Sequence, residues 1–261
     1  MFNLHIGIPG VVPDLLQAVA QAGLLKADHG PQILPRKLWQ EQFRGLVNAK
    51  RKEAAFNVAG WRATEGAIAE LSARGSVAAS LHALLGGAED CFLKSKVLPY
   101  TEARIGRVSE IFAAVPLTFH LTIQSQFDYL RATVERVPEG KVFPEPRTVP
   151  SWAQLVRRIK AAAPGSQIVV WDFERPDKVA LAFLICLLDT KDGGLIEALD
   201  EHLSKTLQHP DSLPIAHEIP GISHELTDRL DVQYELDLAA IGQMTDVSLI
   251  LPENIPEEFH I

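Results

Sequence analysis

The sequence predicts an α/β fold built on a doubly wound, mainly parallel sheet. Short strand-like segments alternate with segments of helical periodicity along the whole chain. Residues 167–172 (QIVVWD) form a nearly continuous apolar run, which is typical of a parallel strand covered on both faces. The chain has 261 residues, 47% of them hydrophobic, which is enough for one large core. We therefore expect a single domain over residues 1–261.

The first part of the chain supplies two of the predicted strands. Residues 2–8 (FNLHIGI) form a strand that ends at a Pro-Gly pair. A helix is predicted over residues 14–23, and a second amphipathic pattern covers residues 34–47. Residues 76–80 (SVAAS) are a short candidate strand.

The middle of the chain carries the clearest strand pattern. A helix over residues 101–114 precedes residues 116–123 (PLTFHLTI), in which apolar and polar side chains alternate. Residues 126–137 read as the next helix, and the Pro-rich residues 139–150 as a surface loop.

The last part of the chain continues the same alternation. Ser151 and Gln154 fit a capping box, which predicts a helix that precedes the strand over residues 167–172. A buried helix over residues 179–188 and a helical apolar stripe between residues 226 and 241 follow. Residues 247–251 (VSLIL) give a fifth strand, so five parallel strands with helices between them are expected.

Charge and cysteine content narrow the range of partners. The net charge of -8 and a pI near 5.6 disfavour binding to nucleic acid, because an acidic surface repels phosphate groups. The ten apolar residues 179–188 are too few to cross a bilayer. Cys91 and Cys186 form no CxxC motif, and the first residues lack the features of a secretory signal. These observations predict a cytoplasmic protein that binds neither nucleic acid nor membrane.

Polar residues at the ends of predicted strands are the first candidates for a site, because ligands of such sheets bind outside the carboxyl ends of the strands. Asp172 and Glu174 end a strand at the ligand side of the sheet, where either carboxylate could face a cleft, but helix capping or surface charge is the simpler interpretation. His5 and His120 lie inside strands, where we expect hydrogen-bonded packing residues. No histidine, cysteine or carboxylate pattern has the spacing of a metal site, and no intact Walker motif is present.

Several segments, in this order, resemble bacterial sulfotransferase-family proteins. Those proteins usually begin LHIGxPKTGTTSLQ, and they later carry SxENLLG, a DYL segment, and a C-terminal helix followed by a strand. The matching segments here are residues 4–9 (LHIGIP), 16–17 (LQ), 80–86 (SLHALLG), 128–130 (DYL), 234–237 (YELD) and 247–250 (VSLI). The resemblance touches both ends and the middle of the chain. It implies a three-layer sandwich of the P-loop NTPase and sulfotransferase type.

In the family, the first loop would hold the 5′-phosphosulfate of the donor 3′-phosphoadenosine 5′-phosphosulfate. Glycine lets that backbone curl around the anion, and lysine stabilises charge on the bridging oxygen. Here Gly10 replaces the lysine, and Val12, which resists positive φ, replaces the inner glycine. Pro13 lacks an N–H donor, and Asp14 brings a negative charge and a natural helix cap. The resemblance therefore implies a degenerate donor loop.

The two other positions that the resemblance implies also depart from the family. Gln124 or Ser125 stands where an arginine would hold the 3′-phosphate, and Ala132 stands where a serine is expected. Arg131 offers a charge nearby, although a solvated surface arginine is the simpler interpretation. His82 falls where the family commonly has glutamate as a candidate general base, a task that histidine can perform near neutral pH.

Three functional hypotheses follow. The first is a sulfotransferase-like protein that is catalytically inert, needs no cofactor, and acts as a binding or accessory module for an unknown small molecule or protein. The alternative is an active transferase with a remodelled donor site, in which 3′-phosphoadenosine 5′-phosphosulfate is the donor and His82 activates an acceptor hydroxyl. The third is an assembly component whose helical surface binds a partner chain.

Overall fold

The computed structural model describes residues 1–7, 15–25, 30–35, 58–81, 84–86, 88–92, 97–135, 149–207 and 222–259. Within these residues one six-stranded sheet has the order β2-β3-β1-β4-β5-β6, and all neighbouring strands are parallel. The strands are β1 (Phe2–His5), β2 (Gln32–Ile33), β3 (Val77–Ser80), β4 (Leu117–Ile123), β5 (Gln167–Asp172) and β6 (Val247–Ile250).

Helices connect these strands and cover both faces of the sheet. Those of the described residues are α1 (Leu15–Gln21), α2 (Val58–Ser72), α3 (Ala88–Phe92), α4 (Thr101–Ile111), α5 (Gln126–Glu135), α6 (Trp152–Ala162), α7 (Pro176–Leu188), α8 (Gly193–Leu207) and α9 (His224–Gly242). A short 3₁₀ helix, Glu257–Phe259, follows β6.

The sheet divides the core into two apolar clusters. One face, here called the α7 face, packs against α1, α7 and α8. The other, the α6 face, packs against α2 to α6 and α9. Every residue of β4 is buried, because alternate side chains point to opposite covered faces.

The predicted architecture is confirmed at the level of an α/β fold with a parallel sheet. All five predicted strands are present, and none pairs antiparallel with a neighbour. The strand β2 was not predicted, because two residues are too few to show a period. The predicted helix over residues 34–47 and the predicted loop over residues 139–150 fall mostly outside the described residues.

The central strand β1 lies at a point where the connections change face. The helix after β1 contributes Leu15, Leu16 and Val19 to the α7-face cluster. The helices after β4 contribute Leu130 and Trp152, among others, to the α6-face cluster. Such a change of face opens a crevice at the carboxyl ends of the strands, where parallel α/β sheets bind ligands.

Three helices that cover the α6 face meet at one buried carboxylate, Asp237 of α9. Its Oδ2 accepts hydrogen bonds from the Trp152 backbone N–H at 2.6 Å and from Gln126 Nε2 at 2.7 Å. Its Oδ1 accepts from Ser151 Oγ at 2.7 Å and from Gln233 Nε2 at 2.9 Å. The charge lies at the amino end of α6, which the helix dipole favours. Ser151 also caps α6 by accepting from the Gln154 N–H, as the capping box predicts.

We expect Asp237→Ala to lower the free energy of unfolding by about 3 kcal/mol, because it leaves several buried donors without an acceptor. Urea denaturation measures this change. The matched control is Gln233→Ala, which removes only a peripheral donor and should cost about 1 kcal/mol. Equal losses in the two variants would contradict a central role for the carboxylate.

Candidate binding site at the carboxyl end of the sheet

Most of the residues that the resemblance implies lie outside the described residues. Gly10, Val12, Pro13 and Asp14, in the turn after β1, belong to this group, as does His82 after β3. Their roles stay predictions. The structure does place the second pair of candidates, Gln124 and Ser125, which follow β4 at the carboxyl edge of the sheet.

The Ser125 hydroxyl and the Gln124 backbone carbonyl both take part in hydrogen bonds within the protein. Ser125 Oγ accepts a hydrogen bond from the Asp128 backbone N–H at 3.1 Å, which caps the start of α5. The same hydroxyl donates to Asp128 Oδ2 at 3.2 Å. The backbone carbonyl of Gln124 accepts from Trp152 Nε1 at 2.9 Å. The Ser125 hydroxyl is therefore already paired within its own turn.

Arg131 is held by the same aspartate. Its Nη2 lies 2.7 Å from Asp128 Oδ1, and its guanidinium carbon lies 5.9 Å from the centre of the Phe127 ring. Next to it, Thr133 is buried and donates to the Tyr129 carbonyl, so it does not substitute for the serine that the family pattern places at Ala132. Arg131, which is next to the position where the family pattern places the phosphate-binding serine, is thus paired with a carboxylate.

A second carboxylate lies at the end of β5. Asp172 is buried, and its Oδ1 accepts hydrogen bonds from Tyr234 Oη at 2.7 Å and from the Glu174 backbone N–H at 2.9 Å. Burial raises the pKa of Asp172 and also raises that of Tyr234. The bond to the Glu174 N–H closes a local turn, and the bond to Tyr234 ties the end of β5 to α9. Because α7 begins without a side-chain cap and Asp172 is buried, the structure supports neither helix capping nor surface charge as the role of this residue.

Glu174 stands at an acidic edge of the sheet. Glu174 is an exposed residue by surface area. Desolvation of its carboxyl group by the surrounding protein, followed by repulsion from Asp172, Asp128, Glu235 and Asp231, raises the pKa of this group to about 7. These carboxylates come from β5, α5 and α9, so three separate elements direct negative charge to the same region.

Three central strands are joined on the α7 face by a buried polar network. His5 Nδ1 lies 2.9 Å from Ser80 Oγ, and His5 Nε2 lies 3.0 Å from Thr122 Oγ1. All three side chains are buried, and the His5 ring packs edge-on against Phe183 of α7 at 5.1 Å. A hydroxyl beside an imidazole is also the arrangement of a nucleophile and its base. Here the burial and the paired ring nitrogens give it the role of a cross-link between β3, β1 and β4.

The network also explains why a glycine occupies position 7. A Cβ at this position would overlap Thr122 Oγ1 and His5 Nε2. The absence of a side chain therefore lets the imidazole and the hydroxyl meet at the end of β1.

His120, on the neighbouring strand, is a second buried imidazole. Its Nδ1 accepts from Trp171 Nε1 at 3.3 Å, and its Nε2 has no partner among the described residues. Burial lowers the pKa of His120 to about 3, so the ring is neutral. The interpretation of His5 and His120 as packing residues is confirmed.

Sequence reasoning missed the importance of Asp237 and Tyr234. Both lie on the buried stripe of α9, in which Leu230, Tyr234, Asp237 and Ile241 recur at helical spacing. An aspartate within an apolar stripe was the available signal, since a buried charge must find partners.

Two further features of the described residues bear on function. No group of three or more histidine, cysteine, aspartate or glutamate side chains among them is arranged to hold a metal ion. None of the helices in these same stretches is long and apolar enough to cross a membrane.

No protein-family model matches this chain, and no curated protein or solved structure is similar to it at a significant level.

We expect Gly7→Ala to lower the free energy of unfolding by about 1–3 kcal/mol, because the added methyl group forces His5 and Thr122 apart. The control is Gly66→Ala in α2, where a Cβ meets nothing within 4 Å. That change should stabilise the protein by about 0.5–1 kcal/mol, as alanine is the better helix former. Urea denaturation of both variants measures the difference, and a Gly7→Ala protein as stable as the wild type would contradict the network.

A pH-dependent effect is expected from Glu174. Because its folded pKa of about 7 exceeds the ordinary value of 4.5, the folded state holds the proton more tightly than the unfolded state. The resulting stability is present below pH 4.5 and is lost as the pH rises through 7. Glu174→Gln removes this dependence, so the variant should gain stability relative to the wild type between pH 5 and pH 8. Thermal unfolding of the variant and the wild type at a series of pH values measures this difference in stability.

The matched control for this experiment is Glu197→Gln, on the exposed surface of α8. Its stability difference from the wild type should be similar at both ends of the pH range. A Glu174→Gln difference that does not change with pH would contradict the repulsion among the carboxylates.

Proposed function

We propose that the chain is a sulfotransferase-like protein that does not use the standard donor and serves as a non-catalytic binding or accessory module. The observation that carries the proposal is that the polar side chains after β4 are already paired within the protein. Ser125 and Arg131 are both engaged by Asp128, and carboxylates crowd the edge beside them. A phosphate site requires the opposite, namely unpaired donors and an excess of positive charge.

The fold supports the sulfotransferase-like part of the proposal. The chain leaves β1 at the carboxyl edge, between the ends of β3 and β4, and β1 is the strand before the sequence segment that resembles a donor loop. This is the position at which parallel sheets bind phosphate-containing ligands.

The electrostatics support the inert part. The donor 3′-phosphoadenosine 5′-phosphosulfate carries several negative charges, and two unit charges 4 Å apart near a protein surface interact by about 4 kcal/mol. One neutralised arginine does not offset repulsion from Asp172, Glu174 and Asp231. The described residues at this edge therefore do not fit the donor.

A cytoplasmic setting belongs to the same proposal. It is supported by Cys91 and Cys186, neither of which is in a disulfide. Burial raises the pKa of Cys91 to about 12, so this thiol is unreactive.

Isothermal titration calorimetry with 3′-phosphoadenosine 5′-phosphate tests the proposal. We expect no heat of binding up to millimolar ligand. A micromolar dissociation constant, about -8 kcal/mol, would overturn it in favour of a remodelled donor site.

A gain-of-binding variant makes the test two-sided. Asp128→Asn combined with Glu174→Gln releases Arg131 and, at pH 8 or above, where Glu174 with its pKa of about 7 is largely ionised, removes close to two charges. At that pH the variant should bind the nucleotide at least weakly, and its control is measured at the same pH. The matched control is Glu197→Gln with Asp200→Asn, which removes the same charge from the exposed surface of α8. If both double variants respond alike, net charge rather than the local edge governs binding.

A further inference from the structure

One surface of α9 combines apolar and acidic side chains. The buried stripe of this helix faces the sheet, whereas Val232 and Leu236 lie on the opposite side with 60% and 59% of their surface exposed. They are one helical turn apart, so their side chains form one continuous patch. Within the described residues they are two of the few large apolar side chains that are this exposed.

A groove runs along the same patch. Its volume is about 410 Å³, and its lining includes Val232, Leu236 and Val149 together with Asp228 and Gln233. The apolar members come from α9 and from the segment that precedes α6, so the groove lies between two elements. A concave apolar surface of this kind fits side chains of a helix that lies along it.

The flank of the patch is acidic. Asp228, Asp231 and Glu235 follow one side of α9, and none of them belongs to an ion pair within the described part of the chain. The acidic region continues towards α5 and β5. Desolvation, followed by repulsion from Asp128 of α5 and from Asp228, raises the pKa of Asp231. Asp231 in turn contributes to the raised pKa of Glu174, which follows β5. Arg229 is the one positive side chain that lines the groove in the described residues.

We propose that this α9 groove binds a basic amphipathic helix of a partner protein. Apolar side chains of the partner would occupy the groove over Val232 and Leu236, and its lysines or arginines would face the acidic flank. Charge complementarity selects this occupant, because an anionic lipid surface or a nucleic acid would be repelled by the same carboxylates. The inference rests on the proposed non-catalytic role, for which it names the class of partner.

The test uses a synthetic 18-residue peptide that has leucine at helical spacing and lysine elsewhere and is labelled with fluorescein. Binding is measured as the change in the fluorescence anisotropy of this peptide when the full chain is added. A peptide with glutamate in place of lysine is the comparison probe. We expect the lysine peptide to bind at least tenfold more tightly than the glutamate peptide. Absence of binding by the lysine peptide would overturn the proposal.

Variants of the surface separate its two components. Val232→Ser with Leu236→Ser should weaken binding about tenfold, because it removes the apolar patch. Asp231→Asn with Glu235→Gln should weaken it by a similar factor and reduce its dependence on salt, because fewer ion contacts form. Since all four residues are exposed, thermal unfolding should confirm that both variants fold like the wild type.

Matched controls decide between this surface and the alternatives. Glu197→Gln with Asp200→Asn on α8 should change binding less than twofold, and an equal loss would show that only net charge matters. Sedimentation that finds a dimer, which Val232→Ser with Leu236→Ser dissolves, would overturn the proposal in favour of a second copy of the chain. Nucleotide binding by calorimetry tests the inert donor site separately, so either conclusion can fail while the other stands.

Discussion

The burial of a parallel sheet on both faces is the constraint on which this structure depends. Water does not reach the central strands, so polar side chains on them are stabilised by partners inside the protein, although Asn3 Nδ2 and His120 Nε2 have none among the described residues. His5 is bonded to Ser80 and Thr122, and the three strands that carry them are the ones that meet at the carboxyl edge. The same requirement accounts for the glycine at position 7, where a methyl group would displace the network. The geometry of the edge is thus fixed by hydrogen bonds on the α7 face.

On the α6 face the same requirement is met by carboxylates. Asp237 collects donors from α5, α6 and α9, and Asp172 accepts from the phenol of Tyr234. The bonds from Gln126 and Trp152 join α9 to α5 and α6, and the bond from Tyr234 joins it to β5, so these contacts hold α9 across the carboxyl end of β5. An anion site at this position would need donors that remain unpaired in the folded protein. Here the Ser125 hydroxyl is paired with Asp128 instead.

The sequence predicts the secondary-structure elements better than it predicts the side-chain contacts between them. The alternation in β4 and the apolar run in β5 are local patterns of six or seven residues, and both strands formed where they were predicted. Pairs such as His5 with Thr122 are 117 positions apart, and no local period contains that information. Asp128 was noticed only as part of a motif, although its contacts with Ser125 and Arg131 decide the chemistry of the edge. Sequence reasoning therefore predicts a site at the carboxyl edge of the sheet, which stays a prediction, and only the contacts of the folded chain show which groups at that edge are already paired.

The helix α9 shows how an unfavourable concentration of charge is tolerated in this fold. The raised pKa of Glu174 means that its ionised form is opposed by desolvation and then by neighbouring carboxylates, so ionisation at this edge weakens the folded state near neutral pH. The elements that carry those charges are also joined by hydrogen bonds, from Tyr234 of α9 to Asp172 of β5 and from Gln126 of α5 to Asp237 of α9. Inward bonds thus hold in place a helix whose outward side carries Asp231, Glu235 and an apolar patch. If the net charge of -8 were spread evenly over the surface, no inward hydrogen bonds would be needed to hold α9 against local repulsion. Because negative charge is instead concentrated on α9 beside exposed apolar side chains, a cationic partner is expected at this helix.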